Sequence, residues 1–124
     1  MNQDTNNTQT TLLNLEKGFW EAAGGDGSFY EVNFAEDGLM VLPFEGGLLT
    51  KTQTIEAVKK AGPWAEYDII DPRLVEVSDD CIALVYQAVG ARESQPDYRA
   101  YICSTYRLWQ GTWQLALHQQ TPIS

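Results

Sequence analysis

The feature that most constrains the fold is a two-residue turn, Gln110-Gly111, between two long segments of β-forming residues, 98–109 and 112–121. A two-residue loop with glycine in second place suits a tight hairpin, because the central positions of such a turn need a positive φ. The turn pairs Trp109 with Thr112 and fixes every later pair of an unbroken ladder. The C-terminal residues therefore predict an antiparallel β-hairpin.

The chain before this hairpin predicts further strands. Residues 81–92 are rich in Val, Ile, Leu and Tyr, and the five-residue loop 93–97 joins them to the hairpin. Residues 64–77 form either one long bent strand or two short ones, because Asp71-Pro72 interrupts them and proline cannot donate a ladder hydrogen bond. The second half of the chain is thus a meander of strands.

Helical patterns occupy the first half. Apolar residues recur at helical spacing from Leu12 and stop at Gly24. Ser28 is a candidate cap for a short second helix that ends near Asp37-Gly38, and Thr50-x-x-Gln53 has the form of a capping box that opens a third helix. Helices first and strands last predict an α+β fold, with the helices on one face of an antiparallel sheet.

The length of 124 residues suits one core, and we predict a single domain over residues 11–124. Residues 1–10 are almost wholly polar and predict a disordered tail. The net charge of -9 repels the phosphates of DNA, RNA and anionic membranes, so we expect no nucleic-acid or membrane partner. No leader or spanning segment is recognisable, which predicts a cytoplasmic protein. Cys81 and Cys103 match no metal or redox spacing, and we expect both to be unpaired.

Period-two alternation divides the strands into an apolar face and a mixed face. With an unbroken register from the turn, Gln119 lies on the apolar face, and His118 lies on the mixed face beside Cys103. His118 is the only histidine, and its usual pKa suits proton transfer near neutrality. Because the register turns it away from the helices, we expect a structural or interface role for it.

Four segments in this order resemble the nuclear transport factor 2-like superfamily, in its polyketide-cyclase-like branch. They are the helix end at 19–26, the segment 34–38, the helix at 50–61 and the closing strand at 113–122. The resemblance covers residues 12–122. It implies a cone-shaped barrel of a curved antiparallel sheet, with three N-terminal helices packed on its concave face, a pocket between them and frequent dimers.

The resemblance does not imply one activity, because the superfamily includes isomerases, dehydratases, hydrolases, cyclases and transport adaptors. The steroid isomerases carry a base Asp just before the proline that follows the first strand, where this chain has Leu42. Their tyrosine late in the first helix is replaced by glycine or phenylalanine. The hydrolases and cyclases use Asp on the central strands, whereas the carboxylates from Cys81 onward, Glu93 and Asp97, lie in a loop. We therefore predict no complete catalytic set, no cofactor and no metal site.

Two groups of candidate site residues follow from the faces. Polar groups on the apolar face, together with aromatic rings of the helices and the first long strand, are candidates to line a ligand pocket; core packing is the alternative for all of them. These residues are Trp20, Tyr30, Trp64, Tyr86, Ser104, Tyr106 and Gln119. The mixed face is too apolar for solvent and too polar for a core, which suits a homodimer interface. Its candidates are Val85, Gln87, Val89, Arg99, Tyr101, Cys103, His118 and Gln120.

Three functions remain open at this point. The first is a dimeric protein that binds a small apolar molecule without catalysing a reaction. The second is a small isomerase, dehydratase or cyclase that acts on an apolar carbonyl compound. The third is a module that docks another protein through its dimer face or pocket mouth.

Overall fold

The computed structural model describes the backbone of residues 2–123 and the side chains of residues 7–123. Its strands form one sheet in the order β2-β1-β6-β5-β4-β3. The elements are α1 (Asn2–Glu21), α2 (Ser28–Asn33), β1 (Phe34–Val41), β2 (Leu48–Leu49), α3 (Lys51–Lys60), β3 (Glu66–Ser78), β4 (Cys81–Ala91), β5 (Tyr98–Trp109) and β6 (Thr112–Pro122).

The predicted α+β cone is confirmed, with two differences in the sheet. The sheet is curved but not closed into a barrel, because β2 and β3 are unpaired edges at its two ends. It is also mixed and not wholly antiparallel, since β1 runs parallel to β6. A parallel neighbour needs a long crossover, and the whole stretch from β2 to β5 supplies it.

Burial alternates along β4, as the sequence predicts. Ile82, Leu84, Tyr86 and Ala88 point to the helices and are buried, while the residues between them are half-buried on the outer face. The partner strand β5 buries Ala100, Ile102, Ser104 and Tyr106 on the same side. This inner face and the helices enclose the core.

The strands before the hairpin differ from prediction only in detail. Residues 66–78 form one long bent strand, and the bend lies at Asp71, whose φ is 54°. In the β4–β5 pair, Tyr98 faces Gly90, where the predicted partner is Arg92. A shift of two residues leaves each side chain on its face, so the predicted faces of β4 are correct. Cys81 and Cys103 are both free.

A β-bulge in β6 changes the predicted end of the hairpin. Gln110 and Gly111 have φ values of 51° and 80°, as the tight turn requires, and the register holds as far as the pair Tyr106 and Leu115. Thr105 then pairs with Leu117, so Ala116 is an extra residue. Beyond it the alternation is reversed.

The bulge overturns three predicted orientations. His118 is buried on the inner face and Gln120 lines the space beneath the helices, whereas Gln119 is exposed on the outer face. The prediction placed all three on the opposite sides, because it assumed an unbroken register. One extra residue is enough to reverse them, since side chains alternate with a period of two.

The helices begin and end partly as predicted. Thr50 and Gln53 form the capping box of α3, with reciprocal hydrogen bonds. The predicted cap of α2 is wrong: Gly27 occupies the N-cap position, and Asp26 Oδ1 accepts the N–H of Ser28. Helix α2 ends at Asn33, earlier than predicted, because Phe34 already belongs to the sheet.

Helix α1 begins at Asn2, so residues 2–10 are helical where the composition predicts a disordered tail. Extending an established helix costs far less than starting one, since each added residue gains a hydrogen bond. The packed part of α1 therefore propagates into a polar sequence. Met1 lies outside the described residues.

Candidate ligand pocket and its buried polar cluster

A cavity of about 600 Å³ lies between the helices and the inner face of the sheet. Its walls are mainly aromatic and apolar and include Phe19, Trp20, Tyr30, Val58 and Trp64. Trp20 and Trp64 pack against each other with ring centres 5.1 Å apart. A volume of this size and an aromatic lining are typical of cavities that hold small organic molecules.

Trp64 reaches this wall because β4 carries a glycine beneath it. A Cβ atom at Gly90 would lie 2.7 Å from the Trp64 ring and 3.2 Å from the Trp20 ring. Such contacts are too close for any side chain at this position. Gly90 therefore lets the two indoles pack directly on the strand.

A carboxylate, Glu16, lies among the apolar side chains of α1. Leu12, Glu16, Phe19 and Trp20 follow one another at helical spacing on the buried side of the helix. The Glu16 side chain is 1% exposed and also lines the cavity. A buried carboxylate is costly unless it is hydrogen-bonded, so its partners decide whether the helix can pack here.

Three hydroxyl groups satisfy Glu16. Tyr86 and Ser104 donate to Oε2 at 2.6 and 2.7 Å, and Tyr106 donates to Oε1 at 2.5 Å. Trp20 Nε1 in turn donates to the Tyr86 hydroxyl at 2.8 Å. The alternation of β4 and β5 brings these hydroxyls together, because all of them lie on the inner face. Charge-assisted hydrogen bonds of this kind stabilise a desolvated anion.

His118 completes this group, which we call the polar cluster: Glu16, Tyr86, Ser104, Tyr106 and His118. In the ladder His118 is the direct partner of Ser104, and its Nδ1 lies 2.7 Å from Ser104 Oγ. The Ser104 proton is already donated to Glu16, so Ser104 must accept from His118 Nδ1–H. The hydrogen-bond network thus assigns one tautomer of the imidazole.

The other imidazole nitrogen faces Gln120. Tyr98 donates its hydroxyl proton to Gln120 Oε1 at 2.8 Å, which leaves the amide nitrogen 3.0 Å from His118 Nε2. Gln120 therefore donates to Nε2, and Nε2 carries a lone pair. A chain of hydrogen bonds runs from Tyr98 through Gln120, His118 and Ser104 to Glu16, and its donors and acceptors are consistent with a neutral imidazole.

Burial shifts the titration of the polar cluster. It lowers the pKa of His118 below the usual 6.5, although Glu16, whose Oε2 is 3.9 Å from Nδ1, acts in the opposite direction. Burial also raises the pKa of Tyr86 and of Tyr106 well above 10, and the Glu16 carboxylate adds to the effect. At neutral pH the cluster thus combines protonated phenols with an uncharged imidazole.

A cation lies at the rim of the cavity. Arg92, just after β4, lines the cavity together with Gln95, Asp97 and Tyr98 of the following loop and strand. Its guanidinium carbon is 3.6 Å from the centre of the Trp64 ring, and its Nε donates to the carbonyl of Gly62 at 3.0 Å. The side chain is therefore held in place from two directions.

The predicted pocket residues divide into three groups. Trp20, Tyr30 and Trp64 line the cavity. Tyr86, Ser104 and Tyr106 point inward but are not among the cavity lining; all three hydrogen-bond to Glu16, and Ser104 also contacts His118. Gln119 points outward, and His118 and Gln120 take the place predicted for it.

The predicted interface residues follow the same geometry. Val85, Gln87, Val89, Arg99, Tyr101 and Cys103 lie on the outer face of β4 and β5. His118 and Gln120 do not belong to this face. Whether the face binds a second subunit stays a prediction.

Sequence reasoning missed Glu16 and Arg92. Glu16 lies four residues after Leu12, within the apolar stripe of α1, and this position is the signal that could have found it. Arg92 has no comparable signal, because its role depends on where the loop after β4 folds. Among the described residues, no group of three or more His, Cys, Asp or Glu side chains could hold a metal ion. In the same range, no helix is long and apolar enough to cross a membrane.

Comparison with known proteins gives matches only among solved structures. No family model and no curated protein sequence matches the chain. A nuclear transport factor 2-like protein from Cytophaga hutchinsonii superposes with a TM-score of 0.76 at 20% identity, over 93% of this chain and 98% of that one. The chain has the nuclear transport factor 2-like fold.

Other structures with the nuclear transport factor 2-like fold carry different names. A ketosteroid isomerase-like protein from Parabacteroides distasonis matches with a TM-score of 0.76 at 17% identity, over 91% of this chain and 86% of that one. A cystatin-like-fold protein of unknown function from Nostoc punctiforme matches with a TM-score of 0.75 at 16% identity, over 93% and 90%. Identities this low establish the fold alone.

Proposed function

We propose that this protein binds a small, largely apolar organic molecule in the cavity between its helices and sheet. The observation that carries the proposal is a cavity of about 600 Å³ with aromatic walls and a few hydrogen-bonding groups, among them His118 and Gln120. Apolar surface supplies most of the binding free energy in such sites, and the polar groups orient the ligand.

The test is binding of N-phenyl-1-naphthylamine, a neutral dye whose fluorescence rises in apolar surroundings. We expect saturable binding to the wild-type protein. Ala57 of α3 lines the cavity although it is exposed, so Ala57→Trp fills the space without replacing a buried residue. The matched control is Glu56→Trp, next to it on the same helix and outside the cavity lining. Absence of binding, or equal affinity in both variants, would contradict the proposal.

A second candidate function is proton transfer on an apolar carbonyl compound, as in an isomerase, dehydratase or cyclase. The observation that favours it is the neutral His118 among the cavity residues, backed by Ser104 and Glu16. Nε2 could take a proton from a carbon next to a carbonyl, once the ligand displaces the amide of Gln120. Glu16, acting through Ser104, would stabilise the imidazolium that forms.

This candidate can be separated from simple binding by hydrogen exchange. We expect the wild-type protein to speed exchange of the protons next to the carbonyl of 1-tetralone in D₂O, followed by NMR. His118→Gln should remove most of the acceleration, whereas Gln119→Ala, on the outer face, should retain it. Exchange at the buffer rate in a protein that binds the naphthylamine dye would exclude the catalytic function and leave the binding function.

We also propose that the outer sheet face joins two copies of the chain. Ile70, Val75, Tyr101 and Leu117 lie on this face and are each between 38% and 56% exposed. An exposed apolar surface on the side away from the helices is typical of a contact between subunits. Light scattering at micromolar concentration should give twice the mass of 13.9 kDa, and a monomeric mass would contradict the proposal.

A further inference from the structure

Arg92 is a cation without a carboxylate partner among the side chains of residues 7–123. Among the described residues, no Asp or Glu oxygen lies within 4.0 Å of its guanidinium nitrogens, and Nε alone makes a hydrogen bond, to Gly62. Burial is the influence that lowers the pKa of Arg92, and an arginine remains charged despite such a shift. The two terminal nitrogens are left to a partner from outside.

Arg92 differs in charge from the other ionisable side chains that line the cavity. The lining holds two carboxylates, Glu16 and Asp97, and Arg92 is the one Lys or Arg among the described lining residues. Glu16 is satisfied by three hydroxyls, and Asp97 is exposed in the loop. In a chain with a net charge of -9, an anion enters such a cavity only if a local cation offsets the repulsion.

We infer that the ligand is an apolar acid, whose carboxylate binds the terminal nitrogens of Arg92 while its hydrocarbon part fills the aromatic cavity. The inference deepens the proposed binding function and rests on it. Trp64 stacks on one side of the guanidinium and the Gly62 carbonyl fixes Nε, so the two terminal nitrogens are preorganised for a bidentate carboxylate. Preorganisation lowers the entropy lost on binding.

The test compares 2-naphthylacetate with 2-naphthylacetamide, which has the same shape and no charge, by calorimetric titration at low ionic strength. We expect the wild-type protein to prefer the carboxylate by about tenfold, the scale of a charge-assisted hydrogen bond at a partly exposed site. Arg92→Gln should abolish the preference, and Arg92→Lys should keep part of it. Lys60→Gln, at an exposed residue of α3 outside the cavity lining, removes the same charge and should leave the preference unchanged.

The amide serves as an internal control, because its affinity shows whether a variant has damaged the cavity itself. Equal affinity of the two compounds in the wild type, or a preference that survives Arg92→Gln, would overturn the inference. So would failure of the carboxylate to bind a cavity that accepts N-phenyl-1-naphthylamine. In those cases the proposed function stands, whereas a protein that binds neither the dye nor either compound would lose both.

Discussion

Glu16 is a buried carboxylate that can stay in the core only because other side chains donate hydrogen bonds to it. Its carboxylate is almost wholly buried and accepts hydrogen bonds from Tyr86, Ser104 and Tyr106. An isosteric amide at this position would present two N–H donors to three hydroxyls that also need an acceptor. At least one buried hydrogen-bonding group would then lack a partner, and such a group is costly in free energy.

We therefore expect Glu16→Gln to lower the free energy of unfolding by about 1–3 kcal/mol, the cost of leaving a buried polar group unpaired. Urea denaturation measures it, and the slope of the transition should stay constant. Glu56→Gln is the control, since Glu56 is exposed on α3 and its ion pair with Lys59 is long, at 3.9 Å. A similar loss in both variants would show that the three hydroxyls do not depend on the charge.

The neutral state of His118 has a measurable pH dependence. Because burial lowers its pKa in the folded state, the unfolded chain takes up the proton first as the pH falls through 6.5. Stability should therefore decrease from pH 7 to pH 5 and should not depend on this group above pH 7. In His118→Gln, the free energy of unfolding should change less between pH 7 and pH 5.

The same shift can be measured directly by NMR. The chain contains a single histidine, so its imidazole signal needs no assignment. A midpoint at or above 6.5 would mean that Glu16, the acid 3.9 Å from Nδ1, outweighs burial.

At the scale of elements, the bulge at Ala116 separates what the sequence predicts from what it does not. Gln110-Gly111 determines the turn, and the alternation of β4 determines its buried face, because both signals are local and repeated. A bulge adds one residue without a glycine or proline to mark it. No local sequence signal predicts the parallel pairing of β1 with β6 either, since it joins residues far apart in the chain.

The candidate site was predictable only where it rests on those repeated signals. The sequence pattern places Tyr86, Ser104 and Tyr106 on the inner face, as in the structure, because they lie on β4 and β5 and the extra residue is in β6. His118 and Gln120 follow Ala116 in β6, so an unbroken register predicts the wrong face for both. The sequence does not predict the role of Glu16, because a carboxylate on a helix is usually solvated and the three hydroxyls that donate to it come together only in the folded chain.

Deletions on either side of His118 test the bulge. Removing Ala116 leaves a regular ladder in which His118 and Gln120 still point inward, so the fold should persist and the His118 pKa should stay below 6.5. Removing Gln119 forces one of the two outward, whether or not the bulge survives. We expect the Gln119 deletion to unfold at a clearly lower temperature, and the reverse order would contradict the role given to the bulge.

The whole molecule has two faces of different character, one covered by helices and one exposed. If the exposed face joins two subunits, a charge placed in it should separate them, because a carboxylate buried without a partner is costly. Tyr101→Asp should therefore halve the mass measured by light scattering at micromolar concentration. Val32→Asp, at a more exposed apolar residue of α2 on the helix side, should leave the mass unchanged. Loss of the dimer in both variants would point to general destabilisation.

The hydroxyls that hold Glu16 lie 70, 88 and 90 positions later in the chain. During synthesis α1 leaves the ribosome well before these strands exist, so its Phe19 can already pack on Phe29 and Tyr30 of α2, but the Glu16 carboxylate has none of its three donors. The buried position of Glu16 can therefore form only after β5 has emerged. Docking of the first element is thus a late event, and contacts this distant in sequence make folding slow.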